Sequence, residues 1–320
     1  MYSRIAGTGS YLPEKILTNF DLERMVNTTD EWIRDRTGIE RRHIAAPGET
    51  TVDLGEHAAR RAIEAAGVRP EDIDFIAFGT TTPDQVFPNC GVLLQQRLGC
   101  RGGAAFSVET ACAGFVYALA IADKFVKAGE ARCALVVGAE TLSRITDWSD
   151  RSTAVIFADG AGAVVLQPHE RPGIISTQLH ADGAYKDMLY CETGVSKGFP
   201  DHKPHMVVKM VGSEVFKVAV LNLGKAVEEA LAAQGIDKSQ LDWLVPHQAN
   251  IRIIHATARR LDMPLEKIII TVQDHGNTSA ASVPLALDIG VRDGRIKRGE
   301  LLLLEAFGGG FTWGSALVRY

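Results

Sequence analysis

Ile63-Glu64-Ala65-Ala66-Gly67 leads, seven residues after its glycine, to Asp74-Phe75-Ile76-Ala77-Phe78; Leu231-Ala232-Ala233-Gln234-Gly235 leads over the same interval to Asp242-Trp243-Leu244-Val245. Each passage reads as a helix closed by a glycine, a short connection and a buried strand. The two then stay in step. About 35 to 38 residues beyond each aspartate comes a run of small residues, Ala111-Cys112-Ala113-Gly114 in one and Thr278-Ser279-Ala280-Ala281-Ser282 in the other. A helical stretch follows, then a second apolar strand, Ala134-Leu135-Val136-Val137-Gly138 or Leu301-Leu302-Leu303-Leu304. Both copies end on glycine before a β-rich segment, Gly160 to Leu166 and Gly314 to Val318. Continuous apolar strands alternating with amphipathic helices imply sheets covered on both faces. The expectation is an α/β protein of two duplicated halves, 1–170 and 171–320, joined near Pro168 to Pro172. One long α/β domain is the alternative. In a duplicated pair, small-residue helices pack together at the centre, and strand-end loops of both halves meet around a ligand.

The composition bounds the function. With 320 residues, 46% hydrophobic and 23% charged, the chain has the make-up of a globular protein with a sizeable core. A net charge of -5, from 34 basic and 39 acidic residues, argues against a nucleic-acid binder. No apolar run approaches the roughly 18 residues that cross a bilayer, and Met1 to Gly7 carry no signal-peptide core. The five cysteines, at 90, 100, 112, 133 and 191, form no C-x-x-C pair, so neither a disulfide framework nor a zinc site is expected. A soluble cytosolic protein is the resulting expectation.

Cys112 follows a strand-like stretch, Phe106 to Thr110, and precedes the helical Gly114-Phe115-Val116-Tyr117. A helix N-terminus lowers a thiol's pKa and sharpens it as a nucleophile; the plainer reading is a small buried residue, which suits the other four cysteines. His247, in Val245-Pro246-His247-Gln248-Ala249-Asn250, follows a strand of the second half, where an imidazole projects from a strand end or serves packing. Asn277, in His275-Gly276-Asn277-Thr278-Ser279, stands close to the place Cys112 holds in the first half; it either caps a helix or faces the same cleft, and His275 competes with it. Gly308-Gly309-Gly310 let backbone amides approach a ligand and, with the Cys112 amide, suit an oxyanion hole or a tight strand connection. No P-loop, H-E-x-x-H, EF-hand or G-x-S-x-G pattern occurs.

Assembled, these stretches resemble the thiolase superfamily, and most closely the β-ketoacyl-acyl carrier protein synthase III family. The likeness extends over the whole chain: Gly7-Thr8-Gly9-Ser10-Tyr11-Leu12-Pro13, Asp30-Glu31-Trp32-Ile33 with Arg36-Thr37-Gly38-Ile39, Ala111 to Phe115, Trp243 to Asn250, His275 to Ala280 and Phe307 to Gly314. It implies a layered α-β-α-β-α sandwich and a decarboxylative condensation. An acyl-CoA primer, acetyl-CoA by expectation, would load Cys112 as a thioester and then meet malonyl-acyl carrier protein. His247 and Asn277 would hydrogen-bond the malonyl thioester carbonyl as it becomes an enolate; the amides of Cys112 and Gly309 would form the oxyanion hole. No metal or redox cofactor is implied, since acyl-CoA is a substrate. Trp32 and Arg151 would flank the adenine, with Thr28, Arg36, Gly212, Phe216, Ala249 and Asn250 along the coenzyme tunnel. Ser152 stands where relatives often carry glycine, which bears on the loop's shape. Lys217, Gln248, Arg252, Arg259 and Arg260 would receive the acidic carrier protein. Leu142, Phe157 and Leu189 would line the acyl pocket, closed by Phe87 of the partner in a homodimer, and the enzyme would start fatty acid synthesis in the cytoplasm.

Relatives are separated by single residues. Degradative thiolases carry a second cysteine near the C-terminus, and none follows Cys191 here. Elongating synthases place a histidine where Asn277 stands, and hydroxymethylglutaryl-CoA synthase needs a glutamate base, for which Glu109 is the only acid close in sequence to Cys112. A papain-like hydrolase would use Cys, His and Asn without the duplicated halves, and a non-catalytic carrier-protein scaffold would not need Cys112.

Overall fold

The structure is a computed structural model and describes residues 1–192, 194–197 and 206–320. The apolar runs form two sheets. Strands β1 (Tyr2–Tyr11), β2 (Phe75–Gly79), β3 (Ala104–Val108), β4 (Ala134–Thr141) and β5 (Asp159–His169) build the first, in the order β1-β5-β4-β2-β3. Strands β6 (Ile174–Ala181), β7 (Trp243–Pro246), β8 (Leu301–Gly308) and β9 (Thr312–Arg319) build the second, in the order β6-β9-β8-β7. β2 runs parallel to β4 and β4 antiparallel to β5, just as β7 runs parallel to β8 and β8 antiparallel to β9. The second sheet therefore repeats the first without its edge strand β3.

Helices α1 (Asp30–Thr37), α2 (Thr51–Ala66), α3 (Cys90–Leu98), α4 (Gly114–Ala128), α5 (Gly212–Ala232), α6 (Ile251–Leu261) and α7 (Ser282–Arg292) complete the frame. Local chemistry sets their ends. Thr50 and Asp53 form a capping box at the start of α2, and Gly67 ends it at φ 67°. Burial sorts them into layers. Ala58, Ala62 and Leu94 of α2 and α3 cover one face of the first sheet, against Ile76, Phe78 and Val137. Phe115, Leu119, Val283 and Leu287 of α4 and α7 fill the space between the sheets, against Val136, Leu166, Leu302 and Leu304. Val227 and Ile254 of α5 and α6 pack on Leu244 and Leu303 outside the second sheet. The result is the layered α-β-α-β-α sandwich. Along β8, Leu302, Leu304 and Ala306 face the centre while Leu301 and Leu303 face outward, so a strand apolar throughout serves two cores. Among the described residues no helix is long and apolar enough to cross a membrane.

The central layer sits unusually close to the first sheet. Gly79, Gly138 and Gly162 lie side by side on β2, β4 and β5. A Cβ on Gly79 would fall 2.6 Å from the Gly114 backbone, one on Gly138 2.2 Å from the Ala280 carbonyl, and one on Gly162 2.7 Å from the amide of Leu285. This row is a trough into which the starts of α4 and α7 settle. Gly138→Ala should accordingly overpack a backbone contact and lower stability by about 1–3 kcal/mol. Gly183→Ala, where a Cβ meets nothing within 4 Å, should stay within about 0.5 kcal/mol of the parent. Denaturant midpoints of the two variants check the contrast.

Candidate active site

Two matching turns lie over the glycine trough. Each is a single turn of 3-10 helix, Ala111–Ala113 before α4 and Ser279–Ala281 before α7. Each begins with a non-glycine residue in the left-handed region, Ala111 at φ 46° and Ser279 at φ 51°. Such a backbone costs free energy and persists where the surroundings fix it. The register of the two turns corrects an expectation: Cys112 matches Ala280, whereas Asn277 matches Glu109, three residues earlier than the thiol's counterpart. Asn277 and Cys112 nevertheless line one cavity of about 650 Å³ together with His247.

His247 follows β7, its N–H donating to the Glu305 carbonyl on β8 at 2.8 Å. Its ring Nδ1 lies 2.5 Å from Ser282 Oγ at the start of α7. That hydroxyl oxygen also accepts the Gln248 N–H at 3.3 Å. A serine hydroxyl can donate to Nδ1 or accept from it; with its hydrogen on Nδ1, the neutral ring carries its proton on Nε2 and presents it as a donor, the tautomer the carbonyl-binding role requires. Burial holds the imidazole far below its ordinary value, down to about 3. Asn277 is fixed in the same manner: its Oδ1 accepts the Ser279 N–H at 2.9 Å, which leaves Nδ2 as the donating end. Capping and function are thus not alternatives here. The cap orients the amide.

Burial acts on Cys112 against the helix start beside it and pushes the thiol up to about 12. Glycines shape its surroundings as expected, but the one against the nucleophile turn is Gly308: a Cβ there would fall 2.7 Å from the Cys112 N and 2.8 Å from the Thr110 carbonyl. Gly309 faces the Leu189 carbonyl at 2.7 Å by the same measure. His275 is buried elsewhere and, by burial first, lowered to about 4; it does not line the cavity. Glu109 is exposed in this chain.

Besides the thiol, the cavity is lined by buried Phe307 and Phe157, by half-buried Leu189, Phe216, Ala249, Asn250 and Trp32, and by exposed Gly212, Arg36 and Arg151. Leu142 stands behind Phe157 in the same small core, and Thr28 lies off the lining. Arg151 stacks its guanidinium on Trp32 at 4.5 Å, so an adenine between them, needing two contacts of about 3.5 Å each, must displace it. Ser152 donates its N–H to Asp150 Oδ1 at 2.8 Å in a short helix and also lines the cavity.

Lys217 and Arg252 edge the cavity, with Arg252 5.8 Å above the Phe216 ring, and Arg259 is exposed on the same helix. Arg260 is engaged with Glu228 at 3.4 Å. Gln248 corrects the expected carrier-protein surface. It is wholly buried, its Nε2 donating to the Pro246 and Ile269 carbonyls and its Oε1 accepting from the Thr271 and Val272 amides, so it braces the His247 loop and meets no partner.

Known proteins resemble this chain in sequence and fold. Models for 3-oxoacyl-[acyl-carrier-protein] synthase III match residues 106–183, and those for its C-terminal part match residues 231–320. A β-ketoacyl-[acyl-carrier-protein] synthase III of Thioalkalivibrio sulfidiphilus is 61% identical over 100% of this chain and 99% of its own. The chain belongs to the β-ketoacyl-acyl carrier protein synthase III family. It is an acyltransferase of the condensing-enzyme class. A Xanthomonas campestris synthase III is 62% identical with the same coverage. Among solved structures, the synthase III of Aquifex aeolicus is 44% identical with a TM-score of 0.94, covering 99% of this chain and 100% of that one. That of Pseudomonas aeruginosa is 39% identical with a TM-score of 0.92, covering 100% and 98%.

Residues whose part in the site the sequence left unread include Ser282 and two buried acids. Glu140 ends the apolar β4, and Glu305 interrupts the apolar β8, where an acid inside a buried strand is the readable signal. Glu305 is wholly buried, neither carboxyl oxygen meets a partner among the described residues, and burial pushes it up to about 8. Nitrogen NMR of labelled enzyme should find the His247 ring neutral, with its proton on Nε2, throughout pH 5 to 8; a titration near 6.5 would contradict the assigned donor.

Proposed function

We propose that Cys112, His247 and Asn277 carry out the family's condensation of an acyl-CoA primer with malonyl-acyl carrier protein. The single observation that supports this most is their meeting at the inner end of one cavity whose outer end carries Trp32, Arg36 and Arg151. Cys112 takes the acyl group, forming a thioester and releasing CoA. The malonyl thioester then enters, and the Nε2 and Nδ2 donors fixed by Ser282 and Ser279 bind its carbonyl oxygen. As carbon dioxide leaves, negative charge develops on that oxygen, where two preplaced neutral donors in a dry site stabilise it best. The carbanion attacks acyl-Cys112, whose oxyanion meets the amides of Cys112 and Gly309, and 3-oxoacyl-carrier protein departs. As proposed, these steps call on no metal or redox cofactor.

The division into halves 1–170 and 171–320 is part of this reading, supported by the membership of the two sheets: one half brings the thiol, the other the two donors. Arg252, Lys217 and Arg259 are the basic groups proposed to steer the carrier protein. A homodimer is proposed as well, since Val86 and Phe87 are 67% and 83% exposed and β3 leaves an open sheet edge. In that dimer Phe87 closes the partner's acyl pocket, limiting the primer to short chains such as acetyl.

The variants should separate the two steps. Cys112→Ser should abolish acyl transfer, because an alkoxide forms far less readily than a thiolate. His247→Ala and Asn277→Ala should slow malonyl decarboxylation by about 100- to 1000-fold while leaving partial acylation. Radiolabelled acetyl-CoA and carbon dioxide release measure each step; normal decarboxylation in either alanine variant would remove that residue from the role. For the primer, acetyl-CoA should exceed octanoyl-CoA by about tenfold or more, and Phe87→Thr should narrow the gap. A parent enzyme that prefers octanoyl-CoA would refute the stopper.

A further inference from the structure

Asn277 lies in the loop before α7, yet it is held from the first sheet and from the segment leading into β5. Its backbone is pinned at both polar atoms. The Asn277 N–H donates to the Ile156 carbonyl at 3.0 Å, and its carbonyl accepts the Ala158 N–H at 2.9 Å. Its side chain is aimed by Ser279, whose N–H donates to Oδ1 at 2.9 Å. Ser279 is in turn tethered to β4, its hydroxyl donating to Glu140 Oε1 at 3.1 Å.

Glu140 is a fixed point. It is wholly buried near the end of β4, and the hydroxyls of Thr80 (3.1 Å), Thr81 (3.2 Å) and Thr82 (2.5 Å) donate to it, as do the amides of Thr81 (3.2 Å) and Thr82 (3.1 Å). Those five donors come from the three residues that follow β2, so one carboxyl ties the ends of two neighbouring parallel strands. The Ser279 hydroxyl is the sixth donor. Burial raises the pKa of the carboxyl, and the same hydrogen bonds work the other way. A buried carboxyl with donors on both oxygens has little freedom to move. Glu140 does not line the cavity, so its reach into the site runs through Ser279.

The matching turn separates two uses of the Ser279 hydroxyl. Ala111 takes the same left-handed backbone, φ 46° against 51°, with no hydroxyl. The shape of such a turn therefore stands without a bond to Glu140. What the bond adds is the place of the turn against the first sheet, and with it the place of the amide that aims Asn277. We propose that Glu140 is a positioning residue for decarboxylation: through the Ser279 hydroxyl it sets how far Asn277 reaches toward the malonyl carbonyl. The inference rests on Asn277 being a carbonyl donor of the proposed condensation. The frame that carries the thiol then also sets the donor opposite it, so the two cannot drift apart independently.

Ser279→Ala removes the tether and keeps the N–H on Asn277, in a backbone that Ala111 already shows an alanine can hold. A donor misplaced by about 1 Å costs up to about 100-fold, so the smaller shift of a turn with its other contacts intact should lower kcat for carbon dioxide release about tenfold. The KM for malonyl-carrier protein and the loading of Cys112 by radiolabelled acetyl-CoA should stay within about twofold, since the lost interaction acts in the decarboxylation transition state. Equal loss in both steps would mean general damage and overturn the proposal. Glu140→Gln puts an amide among donors and should slow the same step. The double variant should be no slower than the slower single one, whereas losses that multiply would overturn the link. A second readout is the side-chain amide resonance of Asn277 in asparagine-labelled enzyme, identified by its loss in Asn277→Ala. It should move in Ser279→Ala, which carries the test alone if Glu140→Gln does not fold. Normal decarboxylation in Asn277→Ala would remove the reading beneath. Slow decarboxylation there, with parent-like kcat and an unmoved resonance in Ser279→Ala, would overturn the positioning role by itself.

Discussion

Backbone-to-backbone contact between the central helices and the first sheet is the constraint from which the site follows. A sheet normally keeps a helix at arm's length with side chains, yet Gly79, Gly138 and Gly162 remove them along one row. The turns before α4 and α7 drop into that row, and Gly114 and Ala280 meet with a Cβ-to-Cβ allowance of only 3.2 Å. From the other side, Gly308 of the second sheet presses on the Cys112 amide. Two halves that would otherwise be separated by a full helix diameter of about 10 Å thus bring a thiol, an imidazole and an amide to one cavity. Bulk at any of these positions would part them.

Close contact also buries the side chains of the site, and its electrostatics follow. Every titratable group near the reaction is driven toward its neutral form: the imidazole downward, the thiol upward, Glu305 upward. A neutral imidazole gives up the charge that an imidazolium would bring, but it can be aimed. Ser282 and the Gln248 amide do the aiming for His247, as the Ser279 amide does for Asn277. Serines in the small-residue run of the second half are therefore part of the site, since a hydroxyl occupies little more volume than a methyl while fixing a neighbour's donor.

Much of this was legible in the sequence. The seven-residue interval from Gly67 to Asp74 and from Gly235 to Asp242 marks the matching strands Phe75–Gly79 and Trp243–Pro246 of the two sheets, because helix ends and buried strands leave periodic and glycine signals. The small-residue runs pointed to the centre for the same steric reason. What was not legible depends on approach in space. Gln248 is a polar residue flanked by candidates, and no pattern tells that its amide closes four backbone bonds instead of facing outward. The helix start beside Cys112 is visible in the sequence, whereas the burial that works against it is a property of both sheets. Glu140 and Ser279 lie 139 residues apart and meet only in the fold.

In the proposed reaction, the three-residue offset between Cys112 and Asn277 lets two matching turns serve two kinds of chemistry. A nucleophile must attack, so it belongs inside the 3-10 turn, next to the amides that hold an oxyanion. A carbonyl donor must reach across to the partner substrate, so it belongs before the turn, where an Asx contact to Ser279 can fix it. At the Cys112 position of the second half stands Ala280, whose Cβ faces Gly114 so closely that a Cβ added to that glycine would fall 3.2 Å away. A larger side chain there would press on the start of α4, so packing favours a donor from the preceding loop, where Asn277 stands.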